Sequence, residues 1–191
     1  MRADLSRKPW LWDDACREKA RLLRVVALDV DGVMTDGGIF LSDGGEESKR
    51  FYVRDGMGIR LLRESGLVVG LVTARLSALV ERRARELGLA FWHQGIGDKW
   101  AVLSRELEER GIAAEHCAFM GDDLVDLPVL TRVGLAAAPA DAAAEVVARV
   151  HWVSGRRGGR GAVRELAEHI LRARGEWDGL VARWENGVGS A

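Results

Sequence analysis

The chain has 191 residues, 48% hydrophobic and 30% charged, with a formal net charge of -1. That length suits one domain with a real core, or one domain with extensions. So even a charge balance carries no basic footprint for nucleic acid and no polybasic membrane signal. Cys16 and Cys117 are the only cysteines, which argues against a disulfide framework and against a zinc site of C-x-x-C type. No apolar run reaches the length of a signal peptide or a membrane span, so a cytoplasmic protein is expected.

Strand and helix patterns alternate along the chain. Residues 24–30 (RVVALDV) form a continuous apolar run, as in a strand buried on both faces of a parallel sheet. Residues 38–53 break the rhythm: two short runs flank Asp43-Gly44-Gly45, the pattern of a β-hairpin. A helix is predicted over 55–66, closed by Gly66, then a buried strand over 67–73. An amphipathic helix over 76–88 leads to a strand over 89–94 and a helix over 98–111. A fourth strand over 117–123 ends in acids. A short helix (127–134), a strand (135–139), a helix (141–150) and a last short strand (151–154) follow. Residues 155–161 (GRRGGRG) form a glycine-arginine loop, and 162–174 a final helix. No element is assigned before about Arg21 or after Gly175. The expected organisation is thus an extension (1–21), an α/β domain (22–174) and a tail (175–191). The core is a parallel sheet with right-handed crossovers and helices on both faces.

In open sheets of this kind ligands bind beyond the carboxyl ends of the strands. Asp29 and Asp31 follow the first strand, Thr73 the second, and Asp122 and Asp123 the fourth, while Lys99 opens the helix after the third. Clustered carboxylates repel one another, and a hard cation such as Mg²⁺, which takes oxygen ligands, relieves that repulsion. A lysine beside the acids points to a shared anion, and phosphate fits. Phosphoryl transfer needs charge neutralisation and positioning, an aspartate as nucleophile, and a second acid to protonate the leaving oxygen.

These residues carry a resemblance. DVDGVMT (29–35), Thr73, Lys99 and GDDLVD (121–126) resemble the four motifs of haloacid dehalogenase-superfamily phosphatases. With FYVRDGMGIRLL, GLVTAR, QGIGDK and GGRGAVRE they are similar to the capless branch of 3-deoxy-manno-octulosonate 8-phosphate phosphatases, over about Leu22 to Arg174. The resemblance implies a Rossmann-like haloacid dehalogenase core, a small hairpin after the first strand and no cap domain. It implies Asp29 as nucleophile and Mg²⁺ ligand, and Asp31 as general acid/base with its backbone carbonyl on the metal. Thr73 and Lys99 would hold the phosphoryl group, Asp122 would be the second carboxylate on Mg²⁺, and Asp123 would orient a metal-bound water. Val53, Arg54, Asp55, Gly56, Arg60, Arg75, Arg83 and Arg160 would read the sugar acid, arginine suiting a carboxylate because its planar fork pairs bidentately. The reaction implied is hydrolysis of the 8-phosphate of a keto-deoxy sugar acid of lipopolysaccharide synthesis, in a homotetramer joined by the hairpins, with each site completed by a neighbour.

Bland readings stand beside these. Asp126 is either a helix cap or a partner for Lys99. Arg82, Arg83 and Arg85 also read as a solvated helix face, and the four histidines show no ligand spacing. Trp10, Trp12, Trp177 and Trp184 lie in the extensions and suit packing on the body or on a partner. Ala74 stands where the family usually has glycine. Leu76 matches neither the polar residue of the eight-carbon enzymes nor the acid of the nine-carbon (nonulosonate 9-phosphate) ones, which keeps that substrate open as an alternative. A catalytically silent oligomeric domain is the rival from another class. A signalling receiver would need an acid at the end of the third strand, where the chain reads FWHQG.

Overall fold

The computed structural model of the chain describes residues 12–187. Its main sheet has six parallel strands: β1 (Val25–Leu28), β4 (Val68–Val72), β5 (Phe91–His93), β6 (Cys117–Met120), β7 (Leu135–Ala138) and β8 (Trp152–Val153). The spatial order is β5-β4-β1-β6-β7-β8. Strands β2 (Phe40–Leu41) and β3 (Glu47–Ser48) form the separate antiparallel hairpin. All eight strands fall within the predicted stretches, and the single departure from strand–helix rhythm is the hairpin.

Strand β1 is fully buried because its two faces feed two cores. Val26 and Leu28 point into one, with α2 (Val53–Glu64) and α7 (Ala162–Ala173). Val25 and Ala27 point into the other, with α4 (Lys99–Glu109) and the short α5 (Leu127–Leu130). Alternation on a pleated strand, with helices covering both sides, explains why the run is apolar without a break. Among the other crossover helices, α3 (Ala78–Glu86) contacts β5.

The predicted helix over 141–150 is shorter: α6 covers only Ala144–Val147. Asp141 is used elsewhere, its carboxylate accepting from the Gly158 amide at 2.9 Å, and the Ala143 amide donates to the Asp122 carbonyl at 2.8 Å. These tertiary bonds hold the first residues out of the helix. Likewise the fourth strand ends at Met120, three residues before the predicted end, and the chain turns into a 3-10 turn over 124–126.

Two further helices, α1 (Asp14–Arg21) and α8 (Trp177–Glu185), lie where no element was predicted. Asp13 caps α1 by accepting from the Cys16 amide at 2.8 Å. Trp12 is buried, stacks on His169 of α7 with 5.3 Å between ring centroids, and meets Trp152 edge-on at 6.0 Å. Trp177 and Trp184 of α8 pack on the same core, and Arg60 lies over the Trp184 ring at 4.8 Å. Trp10 lies outside the described residues. Both cysteines are free and buried. Among the described residues no helix is long and apolar enough to cross a membrane.

Trp12 therefore clamps α1 to α7. Trp12→Ala removes that clamp and should lower unfolding free energy by about 3 kcal/mol, read from the denaturant midpoint at constant slope. An unchanged midpoint would mean that α1 is not docked in solution.

Candidate active site

Strand order decides where the motif residues meet. The chain runs outward from β1 to β4 and β5 on one side and to β6, β7 and β8 on the other, so β1 marks the topological switch point. Leu28 pairs with Leu71 of β4 and Met120 of β6. The residues that follow these three, at the carboxyl edge, include Asp29, Thr73 and Asp122. The Asp29 amide donates to the Met120 carbonyl at 2.9 Å, which fixes the step out of the strand.

Lys99 is delivered by a cap. Asp98 accepts from the Ala101 amide at 3.0 Å and starts α4 with Lys99 as its first residue. The Lys99 side chain is wholly buried; its Nζ lies 2.6 Å from Asp126 Oδ1 and 3.0 Å from Asp29 Oδ2. Burial works against its charge, but Asp29 and Asp126 outweigh burial and raise its pKa above the ordinary value. Asp126 fills both roles weighed for it. Its Oδ1 accepts from Lys99, while its Oδ2 accepts from the Asp122 amide at 2.9 Å and the Asp123 amide at 3.3 Å. Asp123 caps the same turn by accepting from the Leu124 amide at 2.7 Å.

The acids crowd. Asp29, Asp122 and Asp126 each place a carboxylate oxygen within 4.8 Å of the others. Burial, then Asp126, push the Asp29 carboxyl up to about 6, against the pull of Lys99. Burial, then Asp29, Asp126 and Asp123, push Asp122 up to about 7. Asp29 Oδ1 is buried and accepts no hydrogen bond. Asp126 has both oxygens committed, so Asp29 and Asp122 are the pair with oxygens to offer a hard cation, which matches the chemistry of oxygen donors around Mg²⁺. Gly32, at φ +86°, keeps this space open: a Cβ there would lie 2.0 Å from Asp122 Oδ2. Gly158 brings the glycine-arginine loop onto the same turn, where a Cβ would meet the Gly32 carbonyl oxygen at 1.8 Å.

Thr73 is buried at the end of β4, its amide donating to the His93 carbonyl at 2.9 Å. Ala74 is exposed, so its methyl group crowds nothing, and Leu76 is 79% exposed. Arg75 is exposed yet reaches Asp31 and Glu47: its Nε is 3.5 Å from Asp31 Oδ2 and its Nη2 donates to Glu47 at 3.0 Å.

The residues expected to read the sugar acid fall into groups. Val53, Arg54 and Arg160 line a cavity of about 610 Å³ with Tyr52, Arg156 and Arg164. Val53, Gly56 and Arg60 line a neighbouring one of about 370 Å³. Arg83 passes over Gly56 and lies 5.8 Å from the Phe51 ring centroid. Arg160 is also 3.8 Å from Asp36. Asp55 is turned into the body, where it accepts from the Arg164 amide at 2.8 Å and the Gly161 amide at 3.3 Å, and burial lifts its pKa to about 6. Neither cavity is lined by Asp29, Thr73 or Lys99.

Sequence reasoning missed Lys49, which the hairpin brings to Asp31, and Glu47 and Ser77, which follow it in a chain of contacts. A signal was present: Glu47 and Lys49 are two apart, hence on one face of a strand, and Lys49 is one of only four lysines.

No protein-family model matches the chain. It is 45% identical over 160 residues to the 3-deoxy-D-manno-octulosonate 8-phosphate phosphatase KdsC of Salmonella typhi, covering 84% of this chain and 85% of that one. The Yersinia pestis KdsC is 43% identical over 164 residues, covering 86% and 88%. A solved Moraxella catarrhalis structure of that phosphatase, in complex with a magnesium ion, a phosphate ion and KDO, has a TM-score of 0.89 at 37% identity over 91% of this chain and 99% of that one.

The raised carboxyls set a pH dependence. Between the unfolded carboxyl range near 4 and the folded values of about 6 and 7, the folded protein binds more protons, so these groups cost stability as pH rises through that window. In chelator, Asp122→Asn should therefore raise the melting temperature more at pH 8 than at pH 5, and should weaken stabilisation by added Mg²⁺. An equal effect at both pH values would contradict the crowding.

Acids and a lysine converge at the carboxyl ends of β1 and β6, on a capless parallel sheet with a projecting hairpin, and close relatives extend over most of the chain; the protein belongs to the 3-deoxy-D-manno-octulosonate 8-phosphate phosphatase family of the haloacid dehalogenase superfamily.

Proposed function

We propose that the protein hydrolyses the phosphate monoester of 3-deoxy-manno-octulosonate 8-phosphate, a step of lipopolysaccharide synthesis, with residues 22–174 as the catalytic domain. The observation that carries this is the buried Lys99 bridging Asp29 and Asp126 beside an Asp29 oxygen that accepts no bond. One Asp29 oxygen attacks phosphorus while the other serves the cation, and Lys99 offsets charge on the incoming phosphate. Asp29, Asp122 and the Asp31 carbonyl would hold Mg²⁺, which when bound neutralises phosphate charge. Asp29 forms the aspartyl phosphate, Asp31 gives its proton to the departing alkoxide, and Asp31 then takes a proton from the water that releases phosphate. Thr73 hydrogen-bonds the transferring group, and Asp123 would orient a water once the cation is bound.

The relatives act on the eight-carbon substrate, and the cluster of Asp29, Lys99, Asp122 and Asp126 speaks against a catalytically silent domain. For the sugar acid we assign Val53, Arg54, Gly56 and Arg60 to a neighbouring subunit's site and Arg75, Arg83 and Arg160 to anion reading, with Asp55 holding the Gly161 and Arg164 amides beneath them. What supports the first group is that the cavities it lines do not include Asp29, Thr73 or Lys99. The hairpin fits a tetramer contact because Ile39, Phe40 and Leu41 are exposed, Leu41 by 69%. A cytoplasmic location accords with a phosphorylated small-molecule substrate.

Asp29→Asn should abolish phosphate release from the eight-carbon substrate in Mg²⁺, with the fold intact by circular dichroism. Near-normal turnover would remove Asp29 as nucleophile, and a higher kcat/KM on the nine-carbon phosphate would remove the substrate assignment. Light scattering should give a tetramer for the wild type and a smaller species for Phe40→Glu. A monomeric wild type would contradict the hairpin's role.

A further inference from the structure

Lys49 lies one residue beyond β3, yet its side chain is only 1% exposed and donates a hydrogen bond to Asp31 Oδ1. Its other anion is Glu47, 3.6 Å from Nζ. Glu47 is itself fixed: Oε2 accepts from Ser77 Oγ at 2.6 Å and Oε1 accepts from Arg75 at 3.0 Å. Ser77, Glu47 and Lys49 thus form a chain of polar contacts from the start of α3 through the hairpin to Asp31. Lysine is almost never buried so fully unless paired, so this is not a solvated hairpin charge.

The two oxygens of Asp31 differ. Oδ1 is taken by Lys49, whereas Oδ2 is buried and accepts no hydrogen bond, with only the Arg75 Nε at 3.5 Å. Asp31 sits in the turn after β1, where no strand pairing fixes it, so its side-chain rotamer needs an outside hold.

We propose that Lys49 is a positioning residue for phosphoryl transfer: it holds Asp31 by Oδ1 and so presents Oδ2 to the leaving oxygen. This rests on the reading above, in which Asp31 is the general acid. In the step, an Asp29 oxygen forms a bond to phosphorus as the bond from phosphorus to the leaving oxygen breaks. The electron pair stays on that oxygen, which takes the proton from Asp31 Oδ2. In protonated Asp31, Oδ1 is the carbonyl oxygen and still accepts from Lys49, so the tether also dictates which oxygen carries the proton. Proton transfer needs a heavy-atom reach of about 2.6–3.2 Å, and an untethered acid loses it.

The test is the dependence of kcat/KM on leaving-group acidity, measured for a series of aryl phosphates in Mg²⁺. These substrates carry no carboxylate, so a role for Lys49 in binding the sugar acid does not enter. A poor leaving group needs the acid and a good one does not. Lys49→Met should keep kcat/KM for p-nitrophenyl phosphate within about threefold and lose at least about tenfold in kcat/KM on phenyl phosphate, part of the usual general-acid contribution. Lys49→Arg should recover most of that loss. Should Lys49→Met not fold, Lys49→Gln carries the same comparison. Asp31→Asn is measured alongside. A steeper dependence for both variants supports the proposal. A steeper line for Asp31→Asn with a Lys49→Met line parallel to wild type overturns the proposal alone. Parallel lines for both overturn the general-acid reading and the proposal with it.

Discussion

The buried ammonium of Lys99 is the interaction on which the rest of the site depends. It sits between Asp29 and Asp126, with Asp122 close by, in a place that water does not reach. Removing one member of such a buried pair leaves an uncompensated charge, at a cost of about 3–5 kcal/mol. Burial first, and then the excess negative charge of three acids against one lysine, make Asp29 and Asp122 hold their protons to higher pH than ordinary aspartates. The same excess is what makes the cluster a place for a hard cation, and the cation's presence would in turn let both carboxylates ionise. Stability and chemistry thus share one charge balance.

That balance exists because of the sheet. Strand order sets β1 between β4 and β6, so residues far apart in sequence leave the sheet side by side. The hairpin adds a second level. Lys49 and Glu47 tie it to Asp31, Arg75 and Ser77, and Arg50 ties its base to Asp36. An element whose first arm exposes Ile39, Phe40 and Leu41 is therefore anchored through its second arm to Asp31.

The parts legible in the sequence are those fixed by local pattern. Asp29, Thr73, Lys99 and Asp122 could be placed because each follows or opens an element whose apolar run marks its position. Two helices were not legible, for a tertiary reason. DACREKAR is mostly polar and buries only Cys16 and Ala20; it is held by the stacking of Trp12 on His169, a contact 157 positions away in sequence that no local period encodes. Helix α8 likewise depends on Trp177 and Trp184 meeting the core and on Arg60 covering Trp184. The predicted helix over 141–150 lost its first turn because Asp141 and Ala143 bond to distant backbone. Lys49 was missed because its importance is a matter of what the hairpin folds back upon.

The central claim is that Asp29 carries the phosphoryl group in mid-reaction. The direct measurement is to quench turnover of the sugar-acid phosphate in acid, reduce with borohydride and locate the modified carboxyl by peptide mass spectrometry. Reduction of an aspartyl phosphate converts the side chain to that of homoserine. The account predicts this change at position 29 alone; its absence there during steady turnover, or its appearance at position 31 or 122 instead, would contradict it.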